Sequence, residues 1–169
     1  MTTQHSLQLD AEQLYGALKQ GVSRLVQPNA AIVGVWSGGA WLAERLQADL
    51  CAWSALGRIS SALHRDDFSR RGMAVSTEAS HLPFEVEGKH ILLIDDVLYT
   101  GRTIRAVINE LYDYGRPASV TLAVLVDRGG RELPIEPAFS AARIALPAQE
   151  RVSLGRDEQG QLTFHFERV

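Results

Sequence analysis

"ILLIDDVLYTGRT" occupies residues 91–103 and decides the reading of the fold. Ile91 to Ile94 is an unbroken apolar run, the pattern of a strand buried on both faces. A helical spacing follows, with Ile104, Val107, Ile108 and Leu111 on one face. It stops at "GRP" (115–117), a C-terminal signal. Between strand and helix lie Asp95 and Asp96, a short apolar-aromatic link, and Thr100-Gly101-Arg102-Thr103. Two like charges at the end of a buried strand repel each other and resist desolvation unless something offsets them.

The second half of the stretch suggests what does. Gly101, Arg102 and Thr103 fall at a helix N-terminus, where unpaired N–H groups and the helix dipole favour an anion such as phosphate. Gly101 permits close backbone approach. Thr100 and Thr103 add hydroxyl donors. Alone, a T-G-x-T is more often a plain helix cap. Carboxylates do not hold phosphate, but they accept hydrogen bonds from hydroxyls or position hydrated Mg²⁺. A phosphorylated ribose satisfies both halves, with its 5′-phosphate on the helix end and its hydroxyls on Asp95 and Asp96.

The same alternation extends outward. Asp10, with Gln13 three residues on, is expected to cap a helix carrying Leu14, Leu18, Gly21, Val22 and Leu25, closed by Pro28. "AIVGVW" (31–36) reads as a buried strand and "SGG" (37–39) as a tight turn. "AWLAERLQADL" (40–50) reads as a helix. Strands are expected at 55–64, 90–95 and 119–127, with short strand-like pieces from "RIAL" onward. Residues 65–83 are polar and irregular, long for a loop in a compact domain. Buried strands alternating with amphipathic helices imply an α/β fold with a mostly parallel sheet covered on both faces. In such sheets ligands bind beyond the carboxyl ends of the strands. "SGG", "DDVLYTGRT" and "DRGGRE" (127–132) are therefore expected to share one crevice.

Composition narrows the classes. The 169 residues suit a single domain, expected to span 1–169. No apolar run approaches the roughly 20 residues of a membrane span. "MTTQHSLQLD" lacks the features of a signal peptide, so a cytoplasmic location is expected. Cys51 is the only cysteine and reads as a small buried hydrophobe. The net charge of −3 is not that of a dedicated polynucleotide binder. Fifteen of the seventeen basic residues are arginine, which suits phosphate recognition or reflects genomic base bias. The chain has neither G-x-G-x-x-G nor G-x-x-x-x-G-K-[ST], so the common nucleotide fingerprints do not compete.

"ILLIDDVLYTGRT" resembles the phosphoribosyl-pyrophosphate (PRPP) motif of the type I phosphoribosyltransferases. Within them, "DDVLYTGRTIRA", "DYGRPASVTLAVLVDRGGRELPI" and "RDDFSR" are similar to the pyrimidine-operon regulator and uracil phosphoribosyltransferase family, PyrR. The resemblance implies the type I phosphoribosyltransferase fold, a parallel sheet plus a small hood. It implies transfer of a phosphoribosyl group from PRPP to uracil, giving UMP, with Mg²⁺ as cofactor. Asp95 and Asp96 would hold the ribose hydroxyls and help place the metal. Val97, Leu98 and Tyr99 would lead into the 5′-phosphate segment Thr100, Gly101, Arg102 and Thr103.

Ser37, Gly38 and Gly39 match the pyrophosphate loop, where many members read Thr-Arg-Gly; this chain lacks that arginine. Arg65 opens a segment matching a mobile catalytic loop, about 65–83, otherwise a solvated loop. Arg128 matches a substrate-contacting position, and the family places it with Asp95, Asp96 and Arg65 in the catalytic set. Val152 matches a position whose backbone reads the pyrimidine edge. The family further implies binding of UMP or UTP, recognition of pyrimidine-operon mRNA, and a homodimer or higher homo-oligomer. No basic stripe for RNA is evident in the linear sequence, and position 136 is Glu where some members are basic. Three readings stay open: an active uracil enzyme, a nucleotide-sensing RNA-binding regulator with little activity, and a transferase for another base.

Overall fold

The computed structural model describes residues 9–50, 53–60 and 79–168. Cys51, Arg65 and most of the 65–83 segment lie outside them. The first element follows its cap: Asp10 accepts hydrogen bonds from the N–H groups of Glu12 and Gln13, and α1 runs Ala11–Ser23. It ends five residues before Pro28, so proline is not what terminates it. β1 (Ala31–Val35) leads into α2 (Gly38–Leu50), and β2 (Ala55–Ile59) follows. β3 (His90–Leu98), α3 (Arg102–Asp113) and β4 (Ser119–Asp127) form the next unit. β5 (Phe139–Arg143) joins the main sheet, and β6 (Glu150–Arg156) and β7 (Leu162–Arg168) make a separate hairpin.

The main sheet has the order β2-β1-β3-β4-β5, and every pairing in it is parallel. Parallel strands need crossovers, and the helices supply them on both faces. Leu18, Leu42 and Leu46 from α1 and α2 pack on Ile32, Leu92, Ile94 and Leu125. Ile104, Val107 and Leu111 from α3 pack on Val33, Ile91, Leu93 and Val124. Neighbouring residues of β3 thus alternate between the two cores, as strand geometry requires. The β6–β7 hairpin is tied in by Leu154 and Leu162 in the first core and by Glu12, whose carboxylate accepts the Leu162 N–H.

β2 ends at Ile59, short of the expected 55–64, of which 61–64 lie outside the described residues. Two further boundaries differ from the sequence reading and bear on the site. α2 begins at Gly38, not at residue 40; the turn before it is Trp36–Ser37, and both glycines of "SGG" belong to the helix's first turn. A Cβ on Gly39 would strike the Ile94 carbonyl, and one on Gly34 would strike the Gly39–Ala40 backbone. The glycines are there because α2 sits that close to the sheet. β3 does not stop at Asp95 but continues to Leu98, held in register by β4, with Asp95 opposite Val124 and Leu98 opposite Asp127. Among the described residues no helix is long and apolar enough to cross a membrane.

Candidate phosphoribosyl site

The carboxyl ends of β1, β3 and β4 bring the three loaded loops together. Asp95 and Asp96 lie within β3, Asp95 only 6 % exposed and Asp96 half-buried. Asp96 lies on the α2 side, where a Cβ on Gly38 would collide with its carboxylate. Each acid also accepts a local backbone hydrogen bond: Asp96 N–H donates to Asp95 Oδ1 and Val97 N–H to Asp96 Oδ1, both at 2.9 Å. The adjacency that looks prohibitive in the sequence is eased by these two donors.

The loop after β3 is held from behind. Leu98 O accepts from Arg128 N–H at 3.0 Å. Tyr99 O accepts from the Arg131 guanidinium at 2.7 Å. Thr100 O accepts from the N–H groups of Glu132 and Leu133 at 2.9 and 3.2 Å. Three successive carbonyls are thus drawn to the segment 128–133. In a trans peptide the C=O of one residue and the N–H of the next point in opposite directions. The N–H groups of Tyr99, Thr100 and Gly101 are therefore turned away from that segment, beside the first turn of α3. This is the geometry of an anion cradle. Gly101 caps α3 with φ at 90°, a left-handed conformation that favours glycine. The Thr100 hydroxyl accepts the Arg102 N–H at 3.2 Å.

The 128–133 segment, expected from the sequence to share the crevice, also supports the loop after β3. Gly129 and Gly130 take positive φ, and a Cβ on Gly130 would run into the Tyr99 ring. Arg128 is 7 % exposed. Its guanidinium lies 3.7 Å from the Tyr99 ring centroid and donates to the carbonyls of Glu150 and Pro147. It pins the start of β6, which carries the buried Val152, to the phosphate loop. Among the described residues its buried Nε has no hydrogen-bond acceptor. Asp127 accepts from Gly129 N–H and from Arg131. Burial pushes its carboxyl upward, but the Arg131 and Gly129 hydrogen bonds and the charges of Arg131 and Arg143 outweigh that and hold it below the usual range.

Other expected residues fall into distinct groups. Ser37 precedes α2, and its carbonyl accepts the Trp41 N–H; the Trp36–Ser37 peptide is cis. Leu98 is buried beneath α3 with its carbonyl engaged, so it supports the loop and offers no side chain to a ligand. Val97 packs on the first core. Arg102 is exposed and paired with Glu132 at 2.7 Å. Sequence reasoning passed over Asp127, Arg131 and Glu132; the signal available was a run of alternating charge around two glycines at a strand end. No group of three or more metal-ligating side chains exists among the described residues.

A model of the phosphoribosyl transferase domain matches residues 10–146. The bifunctional protein PyrR of Ralstonia nicotianae is 52 % identical over 159 residues, covering 92 % of this chain and 91 % of that protein. The chain belongs to the PyrR family of phosphoribosyltransferases. The PyrR of Nitrosococcus oceani is 45 % identical over 165 residues, covering 95 % and 93 %. Among solved structures, the hypoxanthine phosphoribosyltransferase of Trypanosoma cruzi superposes with a TM-score of 0.59 at 20 % identity, over 80 % of this chain and 79 % of that one. A hypoxanthine-guanine phosphoribosyltransferase of Bacillus anthracis gives 0.62 at 16 %, over 82 % and 80 %. These two carry the fold assignment only. The α/β architecture expected from the strand and helix pattern is thus the type I phosphoribosyltransferase fold.

Proposed function

We propose that this PyrR-family chain transfers the phosphoribosyl group of PRPP to uracil and senses uridine nucleotides through the same site. The observation that carries the reading is the phosphate loop. The carbonyls of Leu98, Tyr99 and Thr100 are all held from behind, so the N–H groups that follow face the crevice at the end of β3. The 5′-phosphate belongs on these groups and on the first turn of α3, the ribose hydroxyls on Asp95 and Asp96. In the reaction the uracil N1–C1′ bond forms as the C1′–O bond to pyrophosphate breaks. Pyrophosphate leaves with the electron pair, and the N1 proton is lost. Fixed N–H dipoles and alignment of N1 with C1′ supply the catalysis assigned to this chain.

Mg²⁺ fits the donors available. Two carboxylates and, among the described residues, no third protein ligand suit a cation that keeps its waters and binds largely through substrate phosphates. Asp95 and Asp96 would hold it, and when bound it offsets charge on the departing pyrophosphate. Arg128, buried with an unsatisfied Nε–H, is the cation we place next to the base, alongside Val152. The assay is direct: uracil, PRPP and Mg²⁺ should give UMP, and none at any pH would remove the transferase reading. The Asp95→Asn, Asp96→Asn double variant should keep its far-UV spectrum and lose PRPP binding; unchanged binding would remove the site assignment.

The regulatory half of the reading rests on family membership, since the relatives are named as bifunctional proteins. It predicts that operon leader RNA binds more tightly in the presence of UMP. A filter-binding titration with scrambled RNA as control decides it.

A further inference from the structure

Arg131 joins three separate pieces of the site. Its Nε donates to Ile135 O at 2.8 Å, one terminal nitrogen to Tyr99 O at 2.7 Å, and the other to Asp127 Oδ2 at 2.8 Å. The side chain is only 16 % exposed. The acceptors therefore lie at the far end of its own loop, in the phosphate loop, and at the end of β4. A planar guanidinium fixes three such acceptors in one plane, which an ammonium cannot do. Asp127 is itself fixed by the Gly129 N–H.

Of the three carbonyls drawn backward in the phosphate loop, those of Leu98 and Thr100 are held by backbone N–H groups. Any side chain at 128, 132 or 133 would leave those bonds in place. The Tyr99 carbonyl is held by a side chain, that of Arg131. Its orientation sets the rotation of the Tyr99–Thr100 peptide and hence the direction of the Thr100 N–H. If that peptide turned over, a carbonyl oxygen would face the phosphate in place of a donor.

We infer that Arg131 is a positioning residue for the 5′-phosphate of the substrate, acting through the Tyr99–Thr100 peptide without touching the ligand. The inference rests on the phosphoribosyl site proposed above. Loss of the fork removes one correctly aimed donor to a charged group, which corresponds to about tenfold to a hundredfold weaker phosphate binding. The uracil side is not held by this bond.

The test compares wild type, Arg131→Ala and Arg131→Lys by steady-state kinetics and by calorimetry with UMP. Both variants should raise KM for PRPP and Kd for UMP by about tenfold to a hundredfold. KM for uracil should stay within about twofold, a margin well under one lost hydrogen bond. Methylguanidinium added to Arg131→Ala should restore part of the UMP affinity, which a general loss of packing would not allow. Equal losses toward PRPP and uracil, or no rescue, would overturn the inference. So would wild-type affinity in Arg131→Lys, the variant that decides the matter if the alanine form does not fold. Failure of wild type to bind UMP or PRPP would instead refute the site itself, so the two failures are distinguishable.

Discussion

Gly101 is the position where backbone strain and packing can be weighed separately. Its φ of 90° is left-handed, and a Cβ there would lie 3.0 Å from both Cβ and Cγ1 of Ile135 and 3.5 Å from Leu133 Cβ. The left-handed conformation costs an L residue about 1–2 kcal/mol. Ordinary carbon contacts sit near ~3.5–4.0 Å, so Ile135 must retreat, at an overpacking cost of about 1–3 kcal/mol. Ile135 has little freedom to do so, because it packs against the α3-side core and its carbonyl is held by Arg131. Gly101→Ala should therefore destabilise by about 2–5 kcal/mol. In a chain of this length that lowers Tm by roughly 5–15 °C. Gly88 is the internal control: its φ is 68°, yet nothing lies within 4 Å of an added Cβ. Gly88→Ala should lose only the backbone part, about 1 kcal/mol. Urea denaturation followed by circular dichroism, with equal m-values, measures both. A Gly101→Ala loss within about 0.5 kcal/mol of the Gly88→Ala loss, the usual scatter of a neutral substitution, would refute the close seating of the phosphate loop on its support. UMP affinity should fall in Gly101→Ala and hold in Gly88→Ala.

Two further tests address the same support. Asp127 is held below its usual pKa range, so its ionised form is favoured in the folded state. Its contribution is complete above the unfolded carboxyl value near ~4 and is lost as pH falls through the folded value. The stability gap between wild type and Asp127→Asn should thus be constant from neutrality down to that region and close below it. A gap that persists undiminished in acid contradicts the ion pair with Arg131. Arg128→Met removes the stack on Tyr99 and the hydrogen bonds to Glu150 and Pro147. We expect about 2–3 kcal/mol of destabilisation and faster amide exchange in Glu150–Arg156, with β1 and α2 unchanged. Uniform acceleration throughout the sheet would show that Arg128 does not pin the hairpin locally.

The elements legible in the sequence are those whose pattern is local. β4 was expected at 119–127 and is found as Ser119–Asp127, because an apolar run bounded by Pro117 and the glycines at 129–130 admits little else. Asp10 announced α1 because its side chain does the capping. β3 was cut short because acids usually end a buried strand, whereas here pairing with β4 carries the strand through them to Leu98. The start of α2 was placed late because two glycines argue against a helix; only the closeness of β1 and β3 makes them necessary. The meeting of the three loops followed from the strand-end rule. The role of "RGGRE" did not, since the contacts that seat it on the loop after β3 reach Leu98, Tyr99, Thr100 and Arg102, some thirty positions back, and no periodicity encodes that. Arg65, assigned by resemblance, lies outside the described residues.

The absent arginine at position 38 takes on a different meaning beside Asp96. In sequence it is a missing charge in the loop that the family uses for pyrophosphate. In the fold, Gly38 is the residue against which the Asp96 carboxylate rests, and any side chain there would have to displace it. Position 38 and Asp96 therefore form one fitted pair, and the composition of the loop cannot be judged from residue 38 alone. Gly38 also opens α2, whose first turn contains no acidic residue. The N–H groups of a helix's first turn have no partner within the helix and carry the positive end of its dipole, equivalent to about half a unit charge. If the leaving group sits at this turn, as the resemblance implies, it would meet backbone donors already oriented, where a side-chain cation would first have to be ordered. The start of α2 is built from main chain and glycine, so its shape depends on how closely α2 sits on the sheet at Gly34 and Gly39.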